Sequence, residues 1–467
     1  MVAKDGPAEP NGDEGSGGLA LAAPPEPGAT AVTPAAPARA TAWRVGGSWL
    51  LTRILLVLMV TGVLKIAPLD VTTDVSVIYH GWYEVLQTGT FPMDDVTWQY
   101  PPAAALVVLA PGLLPWSYLT SFFVLCGVFD TLAMGMLLRA GLRRGRSFTG
   151  AWIWVIGVPL LGPTVYCRYD ILVTAVAMTG LLVLLRRPVL GGILLGFGGM
   201  MKVWPLLGLA GTPRGRRTRR SWTAAVGAVA TLSFLLAAGM NGAFQFLTFQ
   251  ADRGIEVESL GALPLHFAKM FGWWNGSVTM NYGSVEFLGP WVQVISKVVM
   301  GATVAGFCWL LYWRLRARRW QPSTLYDAAL ATLLIFTVTS RVISPQYLVW
   351  LVGLAAVCLT VRGSSQRPVA VLILVATMLT TLEFPMNFGQ VVNSLPWGVT
   401  VLTSRNLVLL AATIISCRRL WRSTRGPLPA VAEPALAAAE EQPAEQKYPV
   451  RPGIAYEQDL LDDIERG

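Results

Sequence analysis

The stretch richest in chemistry is APLDVTTDVSVIYHGWYEVLQTGTFPMDDVTWQYPP, residues 67–102. It holds Asp70, Asp74, Glu84, Asp94 and Asp95, interleaved with Tyr79, His80, Trp82, Tyr83, Trp98 and Tyr100. A carboxylate in such a setting can act as a general base, taking the proton of a hydroxyl as that hydroxyl attacks. Residues 74–87 have helical spacing, with Val77, Ile78, Tyr83, Val85 and Leu86 placed to face lipid. Asp74 would then start a helix lying along a membrane surface. Because it follows Thr72 and Thr73, the same residue also suits a helix N-cap, and spacing alone leaves both roles open.

The cations that could accompany such a base are scattered. Lys202 interrupts apolar sequence in GGMMKVWP, where a lysine is expensive and faces a cavity or partner, or else snorkels to an interface. Arg168 and Asp170 in VYCRYDILV could be a simple ion pair. Arg341 in TSRVISPQYLVW is followed by Gln346 and Tyr347, and an arginine suits bidentate phosphate recognition. If the spans end where the pattern places them, Lys202, Arg341 and Arg168 gather at one rim as a cradle for a phosphate. Further along, Arg253, Glu256, Glu258, Ser259 and His266 offer polar contacts, and Trp273 and Trp274 form an interfacial belt or a sugar-stacking platform. Asp130, Asp327, Glu383 and Arg405 lie inside apolar runs and are functional candidates by that fact alone.

Other chemistries are disfavoured. With two histidines and five cysteines, none in a CxxC pair, neither a metal site nor a disulfide framework is indicated. There is no glycine-rich nucleotide loop, and no cofactor is expected. The basic clusters at 143–146, 186–187, 214–220, 314–319, 362–367 and 418–422 each fall between apolar runs. That is the positive-inside pattern of a membrane protein and not a nucleic-acid surface.

The elements that must position these residues are apolar helices. The chain is 54% hydrophobic and only 13% charged, against about 25% charged in soluble proteins. Spans are expected near 46–66, 117–138, 148–164, 170–186, 189–201, 203–213, 222–240, 291–313, 323–340, 346–361, 368–384 and 400–417. The pair within 189–213 is too short for two crossings at 1.5 Å per residue, so it reads as short helices broken at Lys202 and Pro205. The proline-bounded run 101–115 reads as a helix in the outer interface. This topology puts both termini in the cytoplasm and segments 67–116, 165–169, 241–290, 341–345 and 385–399 outside. Residues 1–43 read as a disordered tail, 44–422 as the catalytic membrane domain, and 423–467 as a second, acidic tail in which Leu460, Leu461 and Ile464 could line a short helix. The fold class is an all-α polytopic membrane protein of about twelve transmembrane helices.

In sequence order the motifs are D-x-x-x-x-Y (Asp74 to Tyr79), G-x-x-P (Gly89 to Pro92), Asp94/Asp95 with WQYPP, RYD at Arg168–Asp170, a glycine-rich run ending at Lys202–Pro205, RGIEVES and SPQYLVW. The order resembles the GT-C superfamily of membrane glycosyltransferases, and most closely glycosyltransferase family 87, whose actinobacterial members use polyprenol-phosphate-mannose. The resemblance covers about residues 45–420. It implies a polyprenyl-phosphate-sugar donor, a glycolipid or glycan acceptor, an active site outside the cytoplasm, inversion at the sugar carbon, and an aspartate base in the first external loop. Asp74 matches that position best, with Asp70 in reserve. A transporter or lipid flippase is the competing class. It would concentrate polar residues at the midplane, whereas here the acidic and aromatic residues concentrate in large loops.

Overall fold

The computed structural model describes residues 36–251 and 253–425. The chain runs through α1 (Ala36–Val60), a π-helical turn (Asp74–Tyr79) leading directly into α2 (His80–Leu86), α3 (Ala104–Leu109), α4 (Tyr118–Gly141), α5 (Thr149–Gly157), α6 (Asp170–Leu184), α7 (Pro188–Met201), α8 (Arg216–Gly239) and α9 (Phe246–Ala251). Then come β1 (Ile255–Glu256), α10 (Leu263–Met270) and the hairpin β2 (Ser277–Asn281) with β3 (Ser284–Leu288). Helices α11 (Val292–Arg316), α12 (Thr324–Val338), α13 (Tyr347–Cys358), α14 (Arg367–Glu383), α15 (Phe388–Val392) and α16 (Pro396–Arg425) follow. Among the described residues, α1, α4, α8, α11 and α16 are long and apolar enough to cross a membrane.

The bundle has a buried centre and an apolar rim. Helices α6, α12 and α13 are buried on almost every face, which is why their sequences are continuous apolar runs without an amphipathic stripe. Helices α8 and α11 expose most of their apolar side chains and form the lipid-facing rim. Between apolar helices the drive to pack comes from close van der Waals approach, which small residues permit. A side chain on Gly192 would strike the Ser221 carbonyl, and a Cβ on Gly196 would stand 2.7 Å from that of Ala225, so these glycines set the α7–α8 contact.

Several expectations are corrected. The all-α reading missed the small antiparallel sheet, ordered β1-β3-β2, with Glu256 opposite Glu286. Its strands are too short, and β1 too far from the hairpin, for a period-two pattern to register. Helix α1 already begins at Ala36, inside the stretch assigned to the first tail. The earlier part of that tail, and the second tail with Leu460, Leu461 and Ile464, lie outside the described residues. On the first-loop helix, Val77 and Val85 are exposed as expected but Leu86 is buried. The 101–115 run forms α3 and a 3-10 turn (Ala110–Leu113) packed against protein. The Ala103 amide donates to the Met200 carbonyl at the end of α7, and Ala103, Ala104 and Ala105 are buried. The 189–213 segment is broken where spacing places the break: α7 ends at Met201, Lys202 is extended, and a 3-10 helix covers Trp204–Gly211.

Interior charges tie helices together. Asp130, on α4 and fully buried, accepts from Arg53 Nε (2.7 Å) and Nη2 (3.1 Å), Trp49 Nε1 (3.1 Å), Trp154 Nε1 (2.7 Å) and the Tyr166 hydroxyl (2.7 Å). Asp327 accepts from Ser364 Oγ at 2.8 Å, and Arg405 pairs with Glu383 at 3.2 Å. Removing one partner of a buried pair strands the other charge, at a cost of about 3–5 kcal/mol, whereas removing both can be nearly neutral. The Asp130→Leu variant should therefore melt well below the parent in detergent, and Arg53→Leu/Asp130→Leu should recover much of the loss. Equal destabilisation in single and double variants would show that packing, not the pair, is what matters there.

Candidate active site

Asp74 owes its place to the chain just before it. Asp70 Oδ1 accepts from the Thr72 amide (2.9 Å) and hydroxyl (2.8 Å), a turn that aims the backbone into the π-helical stretch. Asp74 is the first residue of that stretch, and such π segments are rare and recur at functional sites. Its half-buried carboxylate forms an ion pair with Arg168, which also donates to the Cys167 carbonyl at 2.9 Å. Burial pulls the Arg168 guanidinium down to about 10, with the Asp170 and Glu258 carboxylates acting against that, so it stays charged at neutral pH. Asp70 itself is taken up by the turn.

The neighbouring acid has a different partner. Asp170, buried at the start of α6, accepts at Oδ1 from Lys202 Nζ (2.6 Å) and Trp350 Nε1 (2.7 Å). The simple Arg168–Asp170 ion pair that adjacency allowed does not form, because residues two apart at a helix start do not face each other. Lys202 Nζ also sits 5.0–5.5 Å from the ring centroids of Tyr100, Tyr169, Tyr347 and Trp350, close enough for cation–π attraction. Tyr347 stacks on Trp350 at 3.8 Å, and Tyr79 stands 5.9 Å from Tyr169. Lys202 is thus the centre of a buried aromatic box and not a rim cation. Arg341 donates to the Arg253 carbonyl (2.8 Å) and Ser296 Oγ (3.3 Å). Lys202, Arg341 and Arg168 each have protein partners of their own, and Arg168 is the one paired with Asp74.

The RGIEVES segment is a latch. Arg253 pairs with Glu286 Oε1 at 3.1 Å and donates to Ser284 Oγ at 2.5 Å, while the Gly254 amide and Asn281 also donate to Glu286. Glu256 accepts from the Ile343 amide (2.6 Å) and Ser344 Oγ (3.1 Å), joining β1 to the turn before α13, where Gln346 is buried. Burial pushes Glu256 up to about 7, against the pull of Arg253 and these hydrogen bonds. Glu258 is raised by burial, then by Glu383 and Glu256 nearby, and one of its oxygens has no hydrogen-bond partner.

Several expected contact residues serve the fold instead. His266 is fully buried, with Nε2 on the Val257 carbonyl (2.7 Å) and Nδ1 on Ser394 Oγ (2.9 Å), and burial lowers it to about 4. Ser259 Oγ caps a turn by accepting from the Ala262 amide. Asp95 accepts from Trp82 Nε1 (2.8 Å) and the Thr97 amide (2.8 Å), whereas Asp94 is exposed. His80 stands 3.7 Å from Glu84 on the exposed side of the same helix. Trp274 is buried with its indole on the Pro290 carbonyl, and only Trp273 is exposed. Sequence reasoning missed Trp350, Tyr169 and Glu286. For Trp350 a signal existed, since it lies three residues after Tyr347 and so shares its helix face.

A helical membrane bundle with a carboxylate–arginine pair beside a buried acid–lysine couple has the makings of a transferase site. Residues 98–345 match the family model of glycosyltransferase family 87, more than half the chain. The chain belongs to that family and is a glycosyltransferase. The matched residues include Arg168, Asp170, Lys202, RGIEVES and Arg341, while Asp74 lies ahead of them. No curated protein and no solved structure shows significant similarity to the chain.

Glu256 predicts a pH dependence. Its folded pKa, about 7, lies above its ordinary value of 4.5, so the folded state holds a proton that the unfolded state releases. That contribution is fully present below about 4.5 and is lost as pH rises through about 7. Glu256→Gln should flatten the fall of the unfolding midpoint between pH 5 and 7, since a glutamine can still accept from Ile343 while Ser344 turns to accept from it. An unchanged slope would mean that Glu256 is ionised throughout.

Proposed function

We propose that the enzyme transfers a hexose, mannose, from a polyprenyl-phosphate donor to a hydroxyl of a glycolipid or glycan at the extracytoplasmic face, with inversion. The observation that carries this reading is the Asp74–Arg168 pair, a base beside a phosphate-binding cation. The acceptor oxygen attacks the anomeric carbon, and the carbon–oxygen bond to phosphate breaks. Its electron pair leaves with polyprenyl phosphate, and the hydroxyl proton passes to Asp74. A one-step displacement from the opposite face inverts the sugar carbon. Arginine has five donors, so Arg168 can hold Asp74 and the incoming phosphate together, orienting base and leaving group. Lys202 acts behind this pair, fixing Asp170 and the aromatic box. The arginine clusters between spans support an outward-facing site with both termini inside.

In membranes supplied with radiolabelled polyprenyl-phosphate-mannose, Asp74→Asn should cut transfer by about 10²–10⁴-fold. Asp70→Asn should stay near the parent. Arg168→Met should raise the donor KM roughly 10- to 100-fold, the loss of one charge-assisted contact, and leave the acceptor KM unchanged. An active Asp74→Asn with an inactive Asp70→Asn would move the base to Asp70.

A further inference from the structure

Arginines gather at the end of the bundle where α4, α6, α11, α13 and α16 finish, and a chain of contacts closes them into a ring. Arg214 donates to the carbonyls of Arg314 (2.7 Å) and Leu315 (3.0 Å). The amides of Arg318 and Arg319 donate to the Thr424 carbonyl on α16. Arg419 donates to the Ser365 carbonyl at 3.0 Å, and Arg362 to the Arg146 carbonyl at 3.1 Å. The ring continues at Arg143, where burial and then the charges of Arg186, Arg139 and Arg146 pull the guanidinium below its ordinary value. Leu185 and Arg217 border one recess, which brings the ring back to its start.

These contacts are to neutral carbonyls, which position a guanidinium without neutralising it. Among the described residues the only acid at this end is Asp327, which is buried and bonded to Ser364. Arg216, Arg219, Arg318, Arg418 and Arg422 are exposed, so the face as a whole is strongly positive. The recess has walls of Leu185, Pro213, Trp320, Pro322 and Leu325, with Arg217 beside them. Its free room of about 20 Å³ admits the tip of one aliphatic side chain. It opens where α6 ends and α12 begins, and both helices are buried on almost every face. Lipid meets the perimeter helices α8 and α11, whereas the ends of two central helices face the aqueous side of the bundle. The face therefore suits an acidic peptide with an aliphatic anchor, arriving from water.

The chain carries such a segment. Residues 426–467 follow the last helix and lie outside the described residues. They hold nine acidic and three basic side chains, and five of the acids fall in 457–465, EQDLLDDIE, around Leu460, Leu461 and Ile464. Helix α16 ends at Arg425 inside the ring, since Thr424 is the residue that receives Arg318 and Arg319. The 31 residues between Arg425 and Glu457 allow a reach of up to about 100 Å. Such a tether makes docking intramolecular, at high effective concentration.

We propose that residues 457–465 dock on this arginine face, their carboxylates against the arginines of 214–220 and 314–319 and one of Leu460, Leu461 and Ile464 in the recess. The docking is independent of the donor and acceptor proposed above.

The test places p-benzoylphenylalanine at Tyr456 of the full-length protein, one copy per phosphatidylcholine nanodisc, and maps its photo-crosslinks by mass spectrometry. Crosslinks should fall in peptides covering 211–222 and 313–325. Asp459→Asn/Asp462→Asn/Asp463→Asn should cut them roughly tenfold. So should Arg216→Glu/Arg318→Glu, and so should salt at about 1 M, where charges are screened beyond about 3 Å. The triple variant changes the tail alone, so its loss of crosslinks is not a loss of fold. Crosslinks confined to other peptides, or crosslinks unchanged in the triple variant, would overturn the assignment. Crosslinks abolished when phosphatidylglycerol replaces phosphatidylcholine would overturn it too, and would give the face to lipid headgroups.

Discussion

A charge inside an apolar bundle must be neutralised where it stands, and this requirement organises the protein. Water cannot reach Asp170, Asp130 or Glu286, so each gathers donors from distant parts of the chain. Asp170 draws Lys202 and Trp350 to the start of α6, closing α6, α7 and α13 on one another. Asp130 does the same for α1, α4 and α5. Asp170 takes Lys202 and Trp350 on one oxygen, and the Arg168 side chain beside it turns to the first loop and pairs with Asp74. The site is a consequence of how the interior pairs its charges.

The small sheet plays the matching part on the other side. Glu286 collects Arg253, Gly254, Ser284 and Asn281, which folds RGIEVES onto the hairpin. Glu256 then grips the backbone ahead of α13, the helix that carries Tyr347 and Trp350 into the box around Lys202. Two motifs widely separated in the chain are thus one mechanical unit. That unit connects the loop after α9 to the aromatic wall of the site. The raised carboxyls of Glu256 and Glu258 follow from holding acids in that dry seam.

Membership of glycosyltransferase family 87 places sugar transfer on this scaffold. The pair at Asp74 stands beside a groove between α1 and α4, whose lining includes Thr72 and Tyr166.

Sequence alone determined the apolar helices and their breaks, because hydrophobic run length, proline and glycine act locally. The break at Lys202, the start of α6 at Asp170 and the helical character beginning at Asp74 were legible for that reason. It also singled out Arg168, Asp170 and Lys202 as costly residues for apolar surroundings. Only the tertiary structure decided who pairs with whom. Adjacency in the chain suggested Arg168 with Asp170, whereas helix geometry turns them apart toward Asp74 and Lys202. The same limit hid the sheet and the structural role of His266, whose partners lie 9 and 128 residues away. Composition registers that a polar group must be satisfied, but its partner is fixed by which helices come within a few ångströms, and that depends on the packing of the whole bundle.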